Sequence, residues 1–98
     1  MTTVKTEETT VVSKFGKQEK ETFEGVEYTF QFPGTLKTQE MLDMGKGPGG
    51  VFNDSIYNEQ IMEHVIVHPL DVNWEYWDKH DGYRKVMDYA DRFLGSLL

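Results

Sequence analysis

The chain holds no cysteine in its 98 residues, which excludes disulfides and thiolate chemistry and suits a reducing compartment. Serine is scarce, and Ser13, Ser55 and Ser96 stand in no nucleophile motif. Long apolar runs are missing: none approaches the roughly 20 residues that a membrane-spanning helix needs. Met1-Thr2-Thr3-Val4-Lys5-Thr6-Glu7-Glu8 also lacks the apolar stretch of a signal peptide, so a cytoplasmic protein is expected. Positive charge is in deficit, with 10 Lys and Arg against 17 Asp and Glu and a net charge of −7. Residues 1–22 balance Lys5, Lys14, Lys17 and Lys20 against Glu7, Glu8, Glu19 and Glu21, so the whole deficit falls on residues 23–98. An acidic body repels phosphate backbones. That argues against nucleic-acid binding and leaves basic protein partners, or mimicry of a nucleic acid.

An apolar fraction of 38% and an aromatic fraction of 13% point to a globular domain over a disordered chain. A chain of this length forms one domain, burying roughly two-thirds of its unfolded surface. Residues 1–18, rich in Thr, Glu and Lys with few apolar anchors, read as a flexible arm, with an edge strand over Val11–Phe15 as the alternative. Residues 19–98 read as the folded domain. In Val26-Glu27-Tyr28-Thr29-Phe30-Gln31-Phe32 the apolar side chains alternate, so Val26, Tyr28, Phe30 and Phe32 share one face of a strand. Glu24-Gly25 fits a two-residue hairpin loop that returns Lys20–Phe23 antiparallel, and Pro33-Gly34 ends the strand.

Beyond the hairpin the pattern turns helical. Thr35 is expected to cap a short helix over Leu36–Met44, with Leu36, Met41, Leu42 and Met44 on its apolar side and Gly45 as its stop. Gly45-Lys46-Gly47-Pro48-Gly49-Gly50 then reads as a flexible glycine-rich loop. Asn53 or Asp54 caps a second helix to about Val65, striped by Ile56, Tyr57, Ile61, Met62 and Val65. Val65-Ile66-Val67 is β-branched throughout and reads as the helix end or a short extended segment, since Pro69 ends helical geometry by His68. Asp81 is expected to cap a last helix that runs to Leu94 and stops at Gly95. Tyr83, Val86, Met87, Ala90, Phe93 and Leu94 form its apolar stripe, and Arg84, Asp88 and Arg92 a ladder of weak exposed pairs. The fold class is α+β, mainly helical: an N-terminal β-hairpin packed against about three helices.

Three constellations suggest chemistry and none holds. His64 and His68 lie four apart and could share a metal with Glu63 or Asp71, but Pro69 argues that the helix has ended and no third ligand is assured. The glycine-rich run lacks the spacing of a phosphate loop and the Ser or Thr after Lys46, so it reads as a linker. Asp78, His80 and Asp81 sit at a helix start, where carboxylates ordinarily interact with the helix dipole. No catalytic, cofactor-binding or metal-binding residue is therefore assigned. Contact surface is better represented. Of Trp74, Tyr76 and Trp77, two are expected in the core and the third at a rim where it can bind, and Leu97-Leu98 follow the expected helix stop and are expected to dock on a neighbour.

Taken in order, Glu27-Tyr28-Thr29-Phe30-Gln31-Phe32-Pro33-Gly34 with Thr35–Met44, Tyr57–Val67 with Pro69, Val72-Asn73-Trp74-Glu75-Tyr76-Trp77, and a helix ending Phe93-Leu94 resemble a tail assembly chaperone of long-tailed phages and prophages of Gram-positive bacteria. The resemblance covers about residues 20–98; the glycine-rich loop and the threonine-rich arm have no clear counterpart in it. It implies a non-enzymatic protein of the host cytoplasm. Such a protein coats the tape measure protein, helps recruit tail tube subunits, and is often made in two lengths by ribosomal frameshifting. On that reading Trp74, Tyr76, Trp77, Phe93, Leu97 and Leu98 are the residues expected at client or self contacts, and this chain would be the short form. The alternative is an acidic inhibitor or DNA mimic, which would show its carboxylates in two regular rows.

Overall fold

The computed structural model describes residues 12–98. Strands β1 (Gln18–Phe23) and β2 (Val26–Gln31) form the expected antiparallel hairpin, with Phe23 opposite Val26 and Gln18 opposite Gln31. Glu24 (φ 50°) and Gly25 (φ 79°) are both left-handed, the pairing that lets a two-residue turn follow the twist of its strands. The pairing continues beyond β1: Gly16 N–H donates to the Phe32 carbonyl at 2.9 Å, and Phe32 N–H donates to the Lys17 carbonyl at 2.8 Å. Residues 16 and 17 of the expected arm are thus hydrogen-bonded to the hairpin, while its residues 1–11 lie outside the described residues. The edge strand is Gln18–Phe23, and Ser13 to Phe15 of the alternative position are not strand.

A third strand, β3 (Ile66–His68), pairs antiparallel with β2 and gives the sheet order β1-β2-β3. Of the two readings left open for the β-branched run, the extended one holds. Val65 is the last helical cap, its carbonyl accepts from Gln31 N–H at 2.8 Å, and the chain then runs flat beside β2. The step from Ile66 to His68 opposes the single step from Phe30 to Thr29, so the edge carries a bulge at Val67.

The helices are α1 (Thr35–Lys46), α2 (Asp54–His64), α3 (Trp74–Lys79) and α4 (Tyr83–Leu97). Helix α1 starts one residue earlier than expected. Thr35 is its first helical residue and Gly34 its cap, with the Thr38 hydroxyl donating to the Gly34 carbonyl at 2.7 Å. Leu36 and Met44 of the expected apolar side are exposed, whereas Met41 and Thr38 are buried. Gly45 does not stop the helix, and the glycine-rich stretch is not one loop. Gly45 and Lys46 finish α1, and Pro48–Gly50 form a single 3-10 turn. Gly45 is there because a β-carbon would sit 2.9 Å from the Phe52 ring and 3.2 Å from the Tyr57 β-carbon. Its carbonyl accepts from Asn53 N–H at 2.6 Å, tying the end of α1 to the start of α2.

Asn53 rather than Asp54 caps α2, its side-chain oxygen accepting from Ser55 N–H at 3.1 Å and Ile56 N–H at 3.3 Å. Ile56 of the expected stripe is exposed and Gln60 takes a buried place instead. Helix α3 has no precedent in the sequence reading. Asn73 caps it by accepting from Tyr76 N–H at 2.9 Å. Helix α4 begins later than expected, after the left-handed Gly82 (φ 102°), so Asp81 is not its cap. It also runs through Gly95 to Leu97. Its interior face is Val86, Met87, Ala90, Phe93 and Leu94, as the spacing predicts. Arg84, Asp88 and Arg92 form no ion pair with one another among the described residues; Lys85 pairs with Glu24 at 2.8 Å instead.

The core lies between the sheet and the helices. Tyr28, Phe30 and Phe32 project from β2 as the alternation requires, while Val26 at the hairpin end is half-buried. Phe30 meets Tyr89 and Phe93 of α4 at centroid distances of 4.8 and 6.3 Å. Such aromatic contacts add about 0.5–1.5 kcal/mol each to the burial itself. No helix among the described residues is long and apolar enough to cross a membrane.

Candidate partner-binding surface

Six residues were singled out for partner contact, and the fold distributes them unevenly. Phe93 is only 4% exposed and belongs to the core, so it is removed from the surface. The reason is its place on the inner stripe of α4, three residues beyond the buried Ala90. Leu97 is half-buried against that core, and its carbonyl accepts from the Lys14 ammonium, which ties the last turn of α4 to the residues before β1. Leu98 follows with its side chain 54% exposed.

The three aromatic residues of α3 are held by their polar atoms. The Tyr76 hydroxyl meets the Tyr28 hydroxyl at 2.8 Å. Trp77 stacks on Tyr28 with centroids 5.9 Å apart, and its Nε1 donates to the Met62 sulfur at 3.1 Å. Both side chains are half-buried and serve first to fasten α3 to the sheet and to α2. Trp74 is different. Its Nε1 donates to Glu59 Oε2 at 2.9 Å and its ring lies 5.7 Å from that of Tyr83, yet 40% of its surface faces solvent. It is a rigid aromatic with one open face, the kind of group that dominates protein contacts.

No family model matches the chain, and no curated protein or solved structure matches it.

The residue that sequence reasoning missed is Leu70, 78% exposed in the turn between β3 and α3. The signal was a lone leucine between Pro69 and Asp71, two turn formers, where an apolar side chain has no element to pack beneath it. Asp71 itself is left-handed (φ 61°). Together with Trp74, Leu70 stands over a furrow floored by Met62, Ile66 and Val72.

The tyrosine hydroxyls are engaged within the fold. All five tyrosine hydroxyls have a side-chain partner: besides the Tyr28–Tyr76 pair, Tyr57 donates to Asp91 at 2.7 Å, Tyr89 donates to Glu19 at 2.6 Å, and Tyr83 accepts from Asn58 at 2.8 Å. Burial first, and then the hydroxyl of Tyr76, raises the Tyr28 pKa above the ordinary tyrosine range. Burial and the Asp91 carboxylate do the same at Tyr57. At Tyr89 the bond to Glu19 leads and pushes the value up to about 12. These shifts keep the phenols protonated and make them poor nucleophiles or bases.

A cleft of about 320 Å³ between α2 and α4 is lined by Asp54, Asp88 and Asp91, with Arg84 and Tyr57 among them. His64, at the end of α2, lies 3.3 Å from Glu63, and His68 is on β3, so the two imidazoles do not share a helix face. His80 stacks on Tyr76 at 3.9 Å, and its Nδ1 lies 2.9 Å from the Tyr76 carbonyl oxygen; it closes the end of α3.

Proposed function

We propose that this protein is a tail assembly chaperone of a long-tailed phage or prophage, working in the host bacterial cytoplasm by binding the tape measure protein and helping to recruit tail tube subunits. No bond is made or broken in that role. The observation that carries the reading is a pair of apolar side chains, Leu70 and Trp74, held in solvent on an acidic α+β domain. Exposed apolar groups of this size, of which Trp74 is fixed by Glu59 and Tyr83, serve to cover an apolar stripe on another chain. Many copies along one long client gain avidity, so each contact need not be tight. Also in support, the hairpin, the Phe-Pro-Gly segment and the aromatic segment on which the resemblance rests fall on β1-β2, the β2–α1 connection and α3.

The test begins with the gene neighbourhood, where a gene for a long helical protein should follow directly. Co-expression with that protein should raise its soluble yield and give a joint peak on a sizing column. Unchanged yield with no joint peak overturns the reading. The second reading, an acidic inhibitor or DNA mimic, has the carboxylate-lined cleft between α2 and α4 in its favour. Arg84 stands among those carboxylates, which suits a phosphate-like surface poorly.

A further inference from the structure

We infer that the furrow between α2 and the β3–α3 turn seats a basic, amphipathic α-helix of a partner protein. The inference rests on the proposed reading for the identity of that partner, and on the surface itself for the chemistry. Two hollows, of about 210 and 440 Å³, share Met62, Glu63 and Val72 and so form one continuous depression. Its floor is apolar. Leu70 borders one hollow and Trp74 the other, and both stand in solvent.

The rim has one sign of charge. Glu59, Glu63 and Asp71 line the depression, and neither hollow is lined by a lysine or arginine. An apolar floor edged by carboxylates is complementary to a segment that carries a row of leucine-like side chains flanked by lysine or arginine. Other exposed apolar groups that border hollows are paired differently: Phe52 lines the cleft between α2 and α4, where Arg84 stands among Asp54, Asp88 and Asp91. Val51, Phe52 and Ile56 border a hollow whose one lining carboxylate is Asp54, and Val12 and Phe15 border one whose charged lining residue is Lys14.

A helix fits better than a strand. Glu59, on α2, stands three and four residues before Met62 and Glu63, so this side of the depression follows one turn of the helix and offers ridges at helical spacing. The strand edge beside it is only three residues long and carries a bulge, which leaves little backbone for an added strand. Trp74 is already fixed by Glu59 and Tyr83, so little side-chain freedom is lost on binding.

The probe is a synthetic Leu/Lys peptide of about five helical turns, with leucines at i, i+3, i+4 and i+7, added to ¹⁵N-labelled protein at about pH 8, above the ordinary histidine range. The expected result is micromolar binding, with shifts at the amides of Glu63, Leu70 and Asp71 and at the Trp74 indole N–H. Leu70→Asp and Glu63→Lys should each weaken binding about tenfold or more. Leu36→Asp, an equally exposed leucine on α1, should leave it unchanged, and a Leu/Glu peptide should not bind. Shifts centred elsewhere, full affinity in Leu70→Asp, or equal binding of the Leu/Glu peptide overturns the inference. So does a dimer of the free protein that Leu70→Asp dissolves, because the furrow would then belong to a second copy. Co-expression separates this outcome from failure of the chaperone reading. If Leu70→Asp still solubilises the downstream protein, the furrow is wrong and the chaperone stands.

Discussion

The hydroxyls of Tyr28 and Tyr76 meet at 2.8 Å, joining the central strand of the sheet to the one helix that carries both tryptophans. Tyr28 is wholly buried, and Trp77 stacks on the same ring. Tyr28→Phe keeps the ring and removes the bond. Its expected loss of stability is about 1 kcal/mol, since the half-buried Tyr76 can turn to water. Urea unfolding of the variant checks it; a loss above about 3 kcal/mol would mean the bond supports a wider network.

Raised phenol pKa values make stability depend on alkaline pH. Tyr89 goes from an ordinary 10.0 to about 12, chiefly through its bond to Glu19 and then through burial. A folded-state value above the unfolded one favours the protonated form, so its contribution is complete below pH 10.0 and is lost as pH rises toward about 12. Tyr28 and Tyr57 are shifted in the same direction. The urea midpoint should therefore be flat with respect to these groups up to about pH 10 and fall above it, and Tyr89→Phe should reduce that fall.

The caps give a paired prediction. Asn53→Ala removes the acceptor for two amides of α2 and should cost about 1 kcal/mol. Thr35→Ala should change stability by less than about 0.5 kcal/mol, because Thr35 is an exposed first helical residue with no capping role. Thermal unfolding of the two variants side by side decides the matter.

Two glycines inside helices should respond with opposite sign. Gly45→Ala would push a β-carbon to 2.9 Å from the Phe52 ring, and about 1–3 kcal/mol of overpacking should outweigh its helix propensity. Gly95→Ala meets nothing within 4 Å and should stabilise α4 by about 0.5 kcal/mol. Melting temperatures that move the same way would contradict the packing described for Gly45.

Core and surface separate at the end of α4. Phe93→Ala should lose about 3–5 kcal/mol, a large share of the stability of a domain this small. Leu98→Ser should melt like the parent, since its side chain is 54% exposed. Calorimetry of both variants tests the removal of Phe93 from the contact surface.

The hairpin and the stripe of α4 were legible because each follows one strict period. Alternation in Val26–Phe32 placed Tyr28, Phe30 and Phe32 inward, and the spacing from Val86 to Leu94 placed the inner face of α4. Helix ends were less legible. Thr35, Asp81 and Gly95 have the right chemistry for caps or stops, but Gly34, Gly82 and the packing of Leu97 set the boundaries. Gly45 misled for the opposite reason: it was read as freedom, when the approach of Phe52 is what demands the missing side chain. Helix α3 escaped because six residues are too few to show a period, and the three residues of β3 were for the same reason legible only as one of two readings of Val65-Ile66-Val67. Of the surface, Trp74 and Leu98 were readable as excess apolar area, whereas Leu70 needed the turn geometry around it.

Both indoles of this protein belong to a single stretch of six residues, one facing water and one pressed on Tyr28. Its intrinsic emission is therefore a local gauge: it reads the seating of that short helix and is blind to the α1–α2 corner, so light and heat capacity can disagree without either being in error.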